Sequence, residues 1–355
     1  IVADAREFVD QMHQATVILA ASAVIFGASD LLGRRLDWRT LRVHSAGILA
    51  VIVLGLLWHY ERNRNLLSGY MLWVFIAAAA IALHNLYRHD RDELALLRGG
   101  RHISLAWLVF LVFAFDFADR DWLQPLVFGS GAADRLTWVF LVCAFCGAIA
   151  WLQRADRWPV ATHSAAYRDR VAGPLLGIGL LVVLAMTADS AEWVLPYVPM
   201  LNADEAAALL VIFLAWRWLQ AAEQGKFSKA AGAVLAGVAF NVFNTVVARC
   251  VHHYAGVTYE RQRLINSALF HGILSVAWTV LAITLMIHSS RLGHRTRWYV
   301  GFWLLAAVGA KLLLFDASNA GTIIWTVTLI GVALLVIAAS YFAPRPPAIG
   351  DKVSA

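Results

Sequence analysis

Residues 266–288 read NSALFHGILSVAWTVLAITLMIH, 23 positions without one Asp, Glu, Lys or Arg. A helix of about 20 mostly apolar residues crosses the hydrocarbon core of a bilayer. Working outward from it, ten further apolar stretches follow one another at 15–32, 43–60, 66–87, 103–118, 136–152, 172–188, 206–221, 230–250, 298–315 and 320–342. The expected fold is therefore all-α, a polytopic integral membrane bundle of about 11 transmembrane helices. The fourth, sixth and seventh stretches are short, and the fourth fits a re-entrant segment or one packed inside the bundle.

Composition agrees. The chain is 61% hydrophobic and 15% charged, against about half and about a quarter in a soluble domain. Its 15 Trp suit helices anchored at lipid–water boundaries. The net charge of +6 invites a nucleic-acid reading. The arginines, however, are spread over short loops between apolar spans and form no single basic patch, so no nucleic-acid partner is expected.

Those loops set the expected orientation. With the N-terminus outside, the first three inward loops hold four basic residues each, the next two hold three each and the C-terminal tail holds two. That is 20 of the 29 Lys and Arg on the cytoplasmic side, as the positive-inside rule requires. The outward loop 189–205 carries Asp189, Glu192, Asp204 and Glu205 and no base. Residues 1–342 form one transmembrane domain in this reading, and 343–355, with Pro344, Pro346 and Pro347, a disordered cytoplasmic tail. The chain opens Ile-Val-Ala-Asp without Met, which fits the C-terminal part of a longer protein.

Polar groups at membrane depth normally face protein or a water-filled cavity. Asn241, Asn244, Thr245, Arg249 and His252 fall on one helical face roughly 140° wide, and Ser267, His271, Ser275 and Trp278 on a stripe of roughly 80°. Lys311 precedes Asp316 at an outer helix end, and Asp116 lies near the end of the fourth span. In the orientation above these groups gather in the outer half of the membrane. Asn241, Asn244, Arg249, His271, Lys311, Asp316 and Asp116 are thus the candidate ligand-binding residues of a periplasm-facing polar cavity. The competing reading is interhelical glue, with Lys311 neutralised by Asp316 or Asp116.

Cys143 and Cys146 stand at i, i+3 without a second ligand pair, and adjacent His252 and His253 point about 100° apart, so no metal site is expected. There is no Walker loop, no Gly-x-Ser-x-Gly, no His-Glu-x-x-His and no dinucleotide fingerprint, so no cofactor is expected either.

Three runs in the last third carry a resemblance: Ser267 through His271 and Trp278 to Val280, Lys311-Leu-Leu-Leu-Phe-Asp-Ala-Ser318, and Tyr341-Phe-Ala-Pro344. From about 241 to 347 the chain resembles the C-terminal end of a bacterial family of predicted membrane proteins, the domain-of-unknown-function family 2339. The resemblance implies a multi-pass protein of the bacterial inner (plasma) membrane, of which this chain is the C-terminal portion. It implies no established activity and no catalytic residues. It singles out Lys311, Asp316 and Ser318, and either of the last two can cap the final helix.

The leading expectation is a protein that binds or translocates an envelope lipid or glycan through the outer polar cavity, with membrane lipids and other membrane subunits as partners. A structural or assembly subunit is the first alternative. A membrane-embedded transferase using His271 or an outer acid such as Asp116 or Asp119 as base is the second.

Overall fold

The computed structural model describes residues 13–63, 65–91, 98–119, 132–193, 196–221 and 226–312, with isolated positions between 323 and 337. Asp316, Ser318, most of the 320–342 stretch and the 343–355 tail lie outside the described residues.

Among the described residues the chain is helical, with no strand. The first helix, α1, spans Gln14–Arg35. Helix α2 (Arg39–His44) passes through a 3₁₀ turn at Ser45–Gly47 into α3 (Ile48–Asn63). Helices α4 (Met71–Arg91), α5 (Arg98–Asp119) and α6 (Ala132–Arg154) follow. The short α7 (Ser164–Tyr167) continues through a π-helical turn, Arg168–Ala172, into α8 (Gly173–Met186). Next come α9 (Ala203–Ala221), α10 (Lys226–Ala255), α11 (Arg261–Ile265), α12 (Ala268–Arg291) and α13 (Arg295–Lys311).

Eight helical segments among the described residues are long and apolar enough to cross a membrane, with α2–α3 and α7–α8 each making one continuous segment. They coincide with eight of the eleven expected spans. Two others are shorter or more charged: α9 carries Asp204, Glu205 and Arg217, and α13 has only 17 residues.

The described chain divides into two compact units. The first comprises 1–186, 192–196 and 206–238, the second 187–191, 197–205 and 239–355. In the first unit, α1 packs on α2, α3 and α4, α5 on α4 and α6, and α6 on α8. Leu19, Ile52, Leu56, Met71 and Phe75 fill one core, and Phe110, Val142, Val171 and Leu175 fill another. Lipid tails are as apolar as leucine, so association here rests on close packing more than on burial from water. Gly179 illustrates the fit: a Cβ there would lie 3.1 Å from Val142 and 3.2 Å from Val211, so glycine lets α6 and α9 approach α8. The opposite faces carry exposed Leu54, Trp73, Phe140 and Leu181, as a lipid-facing surface would.

In the second unit α12 and α13 form a tight antiparallel pair. Ser267 caps α12 by accepting a hydrogen bond from the Phe270 N–H at 3.2 Å. Gly301 permits the close crossing, since a Cβ there would sit 2.7 Å from the Ala282 carbonyl oxygen.

Candidate functional site

Helix alternation gathers the basic helix ends of the first unit into one polar layer. On α4, His89 and Asp90 are neighbours, and on α5 so are Arg101 and His102. Successive side chains on a helix diverge by about 100°, and the two pairs serve two different clusters. Asp30 of α1, 1% exposed, accepts from Arg34 Nε at 2.9 Å and meets His89 Nε2 at 3.1 Å. Arg101 Nη2 donates to His89 Nδ1 at 3.0 Å, and Ser45 lies 3.3 Å from His89 Nε2.

The second cluster centres on Asp90. Its Oδ2 lies 3.0 Å from His102 Nε2, 2.9 Å from His163 Nε2 and 3.0 Å from Trp158 Nε1. The two imidazole centroids are 4.2 Å apart. His102 is fully buried, and its Nδ1 contacts the Tyr167 hydroxyl at 3.3 Å. His163 and Asp90 are half-buried and keep one side open.

The π-helical turn begins immediately after Tyr167. Its carbonyls anchor two indoles: Trp218 Nε1 donates to the Arg168 oxygen and Trp107 Nε1 to the Arg170 oxygen, both at 3.0 Å. Beside it opens a cavity of about 300 Å³. Arg154, Arg168 and Arg217 line it together with apolar Ile149, Leu176 and Leu214. The Arg168 guanidinium is oriented by Asp169 at 2.8 Å and 3.2 Å and by the Ala221 carbonyl at 3.3 Å.

The residues singled out in the sequence are mostly found in the second unit, each held by protein groups. Arg249, 2% exposed, lies 3.6 Å from both Asp204 and Glu205 and donates through Nε to the Asp189 carbonyl at 3.1 Å. Glu205 in turn accepts from the Tyr197 hydroxyl and from the Met200 N–H, both at 2.6 Å. Burial, with Glu205 alongside, raises the Tyr197 phenol above its usual range. Burial also raises Tyr259, against the lowering effect of the Arg249 guanidinium beside it. Asn241 donates to Thr187 Oγ1 at 3.2 Å, and Asn244 accepts from Trp278 Nε1 at 2.7 Å. Lys311 donates to Ser275 Oγ at 2.8 Å and to the His271 carbonyl at 3.0 Å, while His271 Nε2 meets the Ile265 carbonyl at 2.7 Å. Lys311, His271 and Ser275 are thus brought together, as the stripe on α12 suggests. Asp116 belongs to the first unit, where its Oδ1 accepts from the Leu67 N–H at 3.0 Å. Asp316 lies outside the described residues.

Sequence reading missed Asp90, His102 and His163. They lie in stretches that hydropathy reads as loops and that count there only for topological charge, whereas Asp90 and His102 stand on helix ends. The available signal was the pairing of His89-Asp90 and Arg101-His102 on either side of one helical hairpin.

Among the described residues, eight helical segments long and apolar enough to cross a bilayer, with exposed apolar faces, define a multi-pass helical membrane protein. The chain belongs to the predicted membrane protein family DUF2339, whose profile matches residues 5–346. The kinship expected over the last third therefore extends over nearly the whole chain. No curated protein and no solved structure matches it.

Proposed function

We propose that the protein binds an anionic, phosphate-bearing membrane lipid in the arginine-lined cavity of the first unit. The carrying observation is that three arginines line, with apolar residues, one cavity of about 300 Å³. Guanidinium is planar and weakly hydrated and grips phosphate through two parallel hydrogen bonds. The apolar residues behind it suit the first methylenes of an acyl chain. The volume lies near the lower end for small-molecule sites, about 300–1,000 Å³, and matches a headgroup better than a whole lipid. The plainer explanation, arginines reaching past apolar stems to the membrane surface, does not account for Arg168 being oriented by both Asp169 and Ala221.

The count of basic loops supports a cytoplasmic placement of this cavity, with the N-terminus outside, in a bacterial inner membrane. This moves the expected lipid site from the outer to the inner leaflet. For the outer set Asn241, Asn244, Arg249 and His271, the protein partners just described favour a structural role, such as assembly of the bundle.

The test is lipid retention. The full chain is purified in mild detergent, exchanged into nanodiscs of phosphatidylglycerol or phosphatidylcholine, and examined by native mass spectrometry. Retained phosphatidylglycerol that is lost in Arg154→Gln/Arg217→Gln supports the reading. Equal retention of phosphatidylcholine, or no effect of the double substitution, rejects it.

A further inference from the structure

We propose that Asp90, His102 and His163 form a binding site for a single first-row divalent metal ion, with zinc as the best-suited ion. This inference is independent of the lipid reading.

Three ligand atoms of the right kinds converge. His102 Nε2, His163 Nε2 and an Asp90 carboxylate oxygen all lie within 4.8 Å of one another. Both nitrogens face the same oxygen, at 3.0 Å and 2.9 Å. In a tetrahedral site with bonds of about 2.0–2.1 Å, neighbouring ligand atoms stand about 3.3 Å apart. Accommodating an ion therefore requires each nitrogen to back away from the carboxylate oxygen by a few tenths of an ångström and the two nitrogens, within 4.8 Å of each other, to draw in around the ion. The three ligands come from three places in the chain, α4, α5 and the segment preceding α7, so the fold itself preassembles the set.

The surroundings fit a metal in two further ways. A ligating histidine usually engages its second nitrogen with a fixed partner, which sets the tautomer. Tyr167 stands 3.3 Å from His102 Nδ1 and can accept a hydrogen bond from Nδ1–H, leaving Nε2 with a free lone pair. Trp158 Nε1 donates to the Asp90 carboxylate and orients it. Arg101, the nearest competing cation on α5, is directed away to His89 Nδ1 at 3.0 Å. Two imidazoles and one carboxylate make a borderline donor set that suits zinc better than calcium or magnesium, which prefer all-oxygen shells. Three protein ligands leave a fourth position for water or a substrate oxygen, and the half-buried side of His163 gives access to it.

The competing account is a purely hydrogen-bonded cluster, in which both Nε2 atoms carry protons donated to Asp90. Zinc binding separates the two. The full chain is stripped of metal in detergent, titrated with zinc by calorimetry, and loaded with cobalt(II) for visible absorption. The site predicts one equivalent per chain and a tetrahedral cobalt spectrum. His163→Ala should weaken binding by roughly tenfold or more, since even substitutions around metal ligands cost about 10–100-fold. Trp158→Phe removes a donor but no ligand and should keep the stoichiometry. If His163→Ala does not fold, Asp90→Asn serves in its place. No saturable zinc binding, or binding unchanged in both ligand variants, overturns the proposal.

Discussion

Asp90 and His163 lie 73 positions apart in the chain and meet at 2.9 Å through Oδ2 and Nε2. The contact ties the end of α4 to the segment leading into α7, so it closes the first unit across four helices. Removing the two partners should not cost the same. Asp90→Ala strands three donors, of which the fully buried His102 cannot easily rehydrate. Each stranded buried group costs about 1–3 kcal/mol. His163 borders solvent, with its side chain 15% exposed, so water can fill the space that His163→Ala leaves. The expected order in thermal melting in detergent is wild type, then His163→Ala, then Asp90→Ala as the least stable. The reverse order would show that Asp90 is not the hub.

Arg249→Leu should be among the most damaging single changes in the second unit. Breaking a buried ion pair from one side costs about 3–5 kcal/mol, because the remaining charge is left without compensation. Here two buried carboxylates, Asp204 and Glu205, are left together. Adding Glu205→Gln to Arg249→Leu should restore part of the loss. A double variant no better than the single one would mean that the charges are not the cause.

Gly301 and Gly309 sit on the same helix and should respond oppositely to alanine. At Gly301 the new methyl meets a backbone oxygen at 2.7 Å, so α12 and α13 must move apart. A cost of about 1–3 kcal/mol is expected for such overpacking. At Gly309 no described residue lies within 4 Å, and alanine should stabilise by about 0.5–1 kcal/mol through helix propensity. Parallel melting curves of the two variants check the pair.

Tyr197 makes stability depend on alkaline pH. Its phenol is raised in the folded protein by burial and by Glu205, whereas in the unfolded chain it ionises near pH 10. The contribution is complete below about pH 10 and declines as the pH rises further, because only the unfolded chain then releases the proton readily. Tyr197→Phe should lower stability at pH 7 through the lost bond to Glu205, and flatten the decline above pH 10. Parallel curves for the two proteins across that range would refute the assignment.

The helical membrane class was legible from residue 266 outward, because length and apolarity alone decide it. The span count was less so. Hydropathy places a span over 206–221 but does not weigh Asp204 and Glu205, which open α9 inside a buried cluster with Arg249. Helical periodicity puts Asn241, Asn244 and Arg249 on one side of the eighth expected span, and His271 with Ser275 on one stripe of the ninth. It could not say whether those faces meet water or protein, since that depends on neighbours far away in sequence. Thr187, Asp189 and Trp278 turned out to be among those neighbours. The Asp90 cluster was illegible for a related reason: His102 and His163 lie 12 and 73 residues from Asp90, and neither spacing repeats any helical period.

The order of His89 and Asp90 along α4 has a mechanical consequence. One side chain reaches toward Asp30 and the other toward His163, in directions about 100° apart. Rotation of α4 about its axis in either sense lengthens at least one of these bonds. Arg101 and His102 impose the same restraint on α5 from the facing side. The two helices are locked in azimuth like a pair of keyed shafts, so a twist at this end of the first unit stretches the bond to at least one of the two carboxylates.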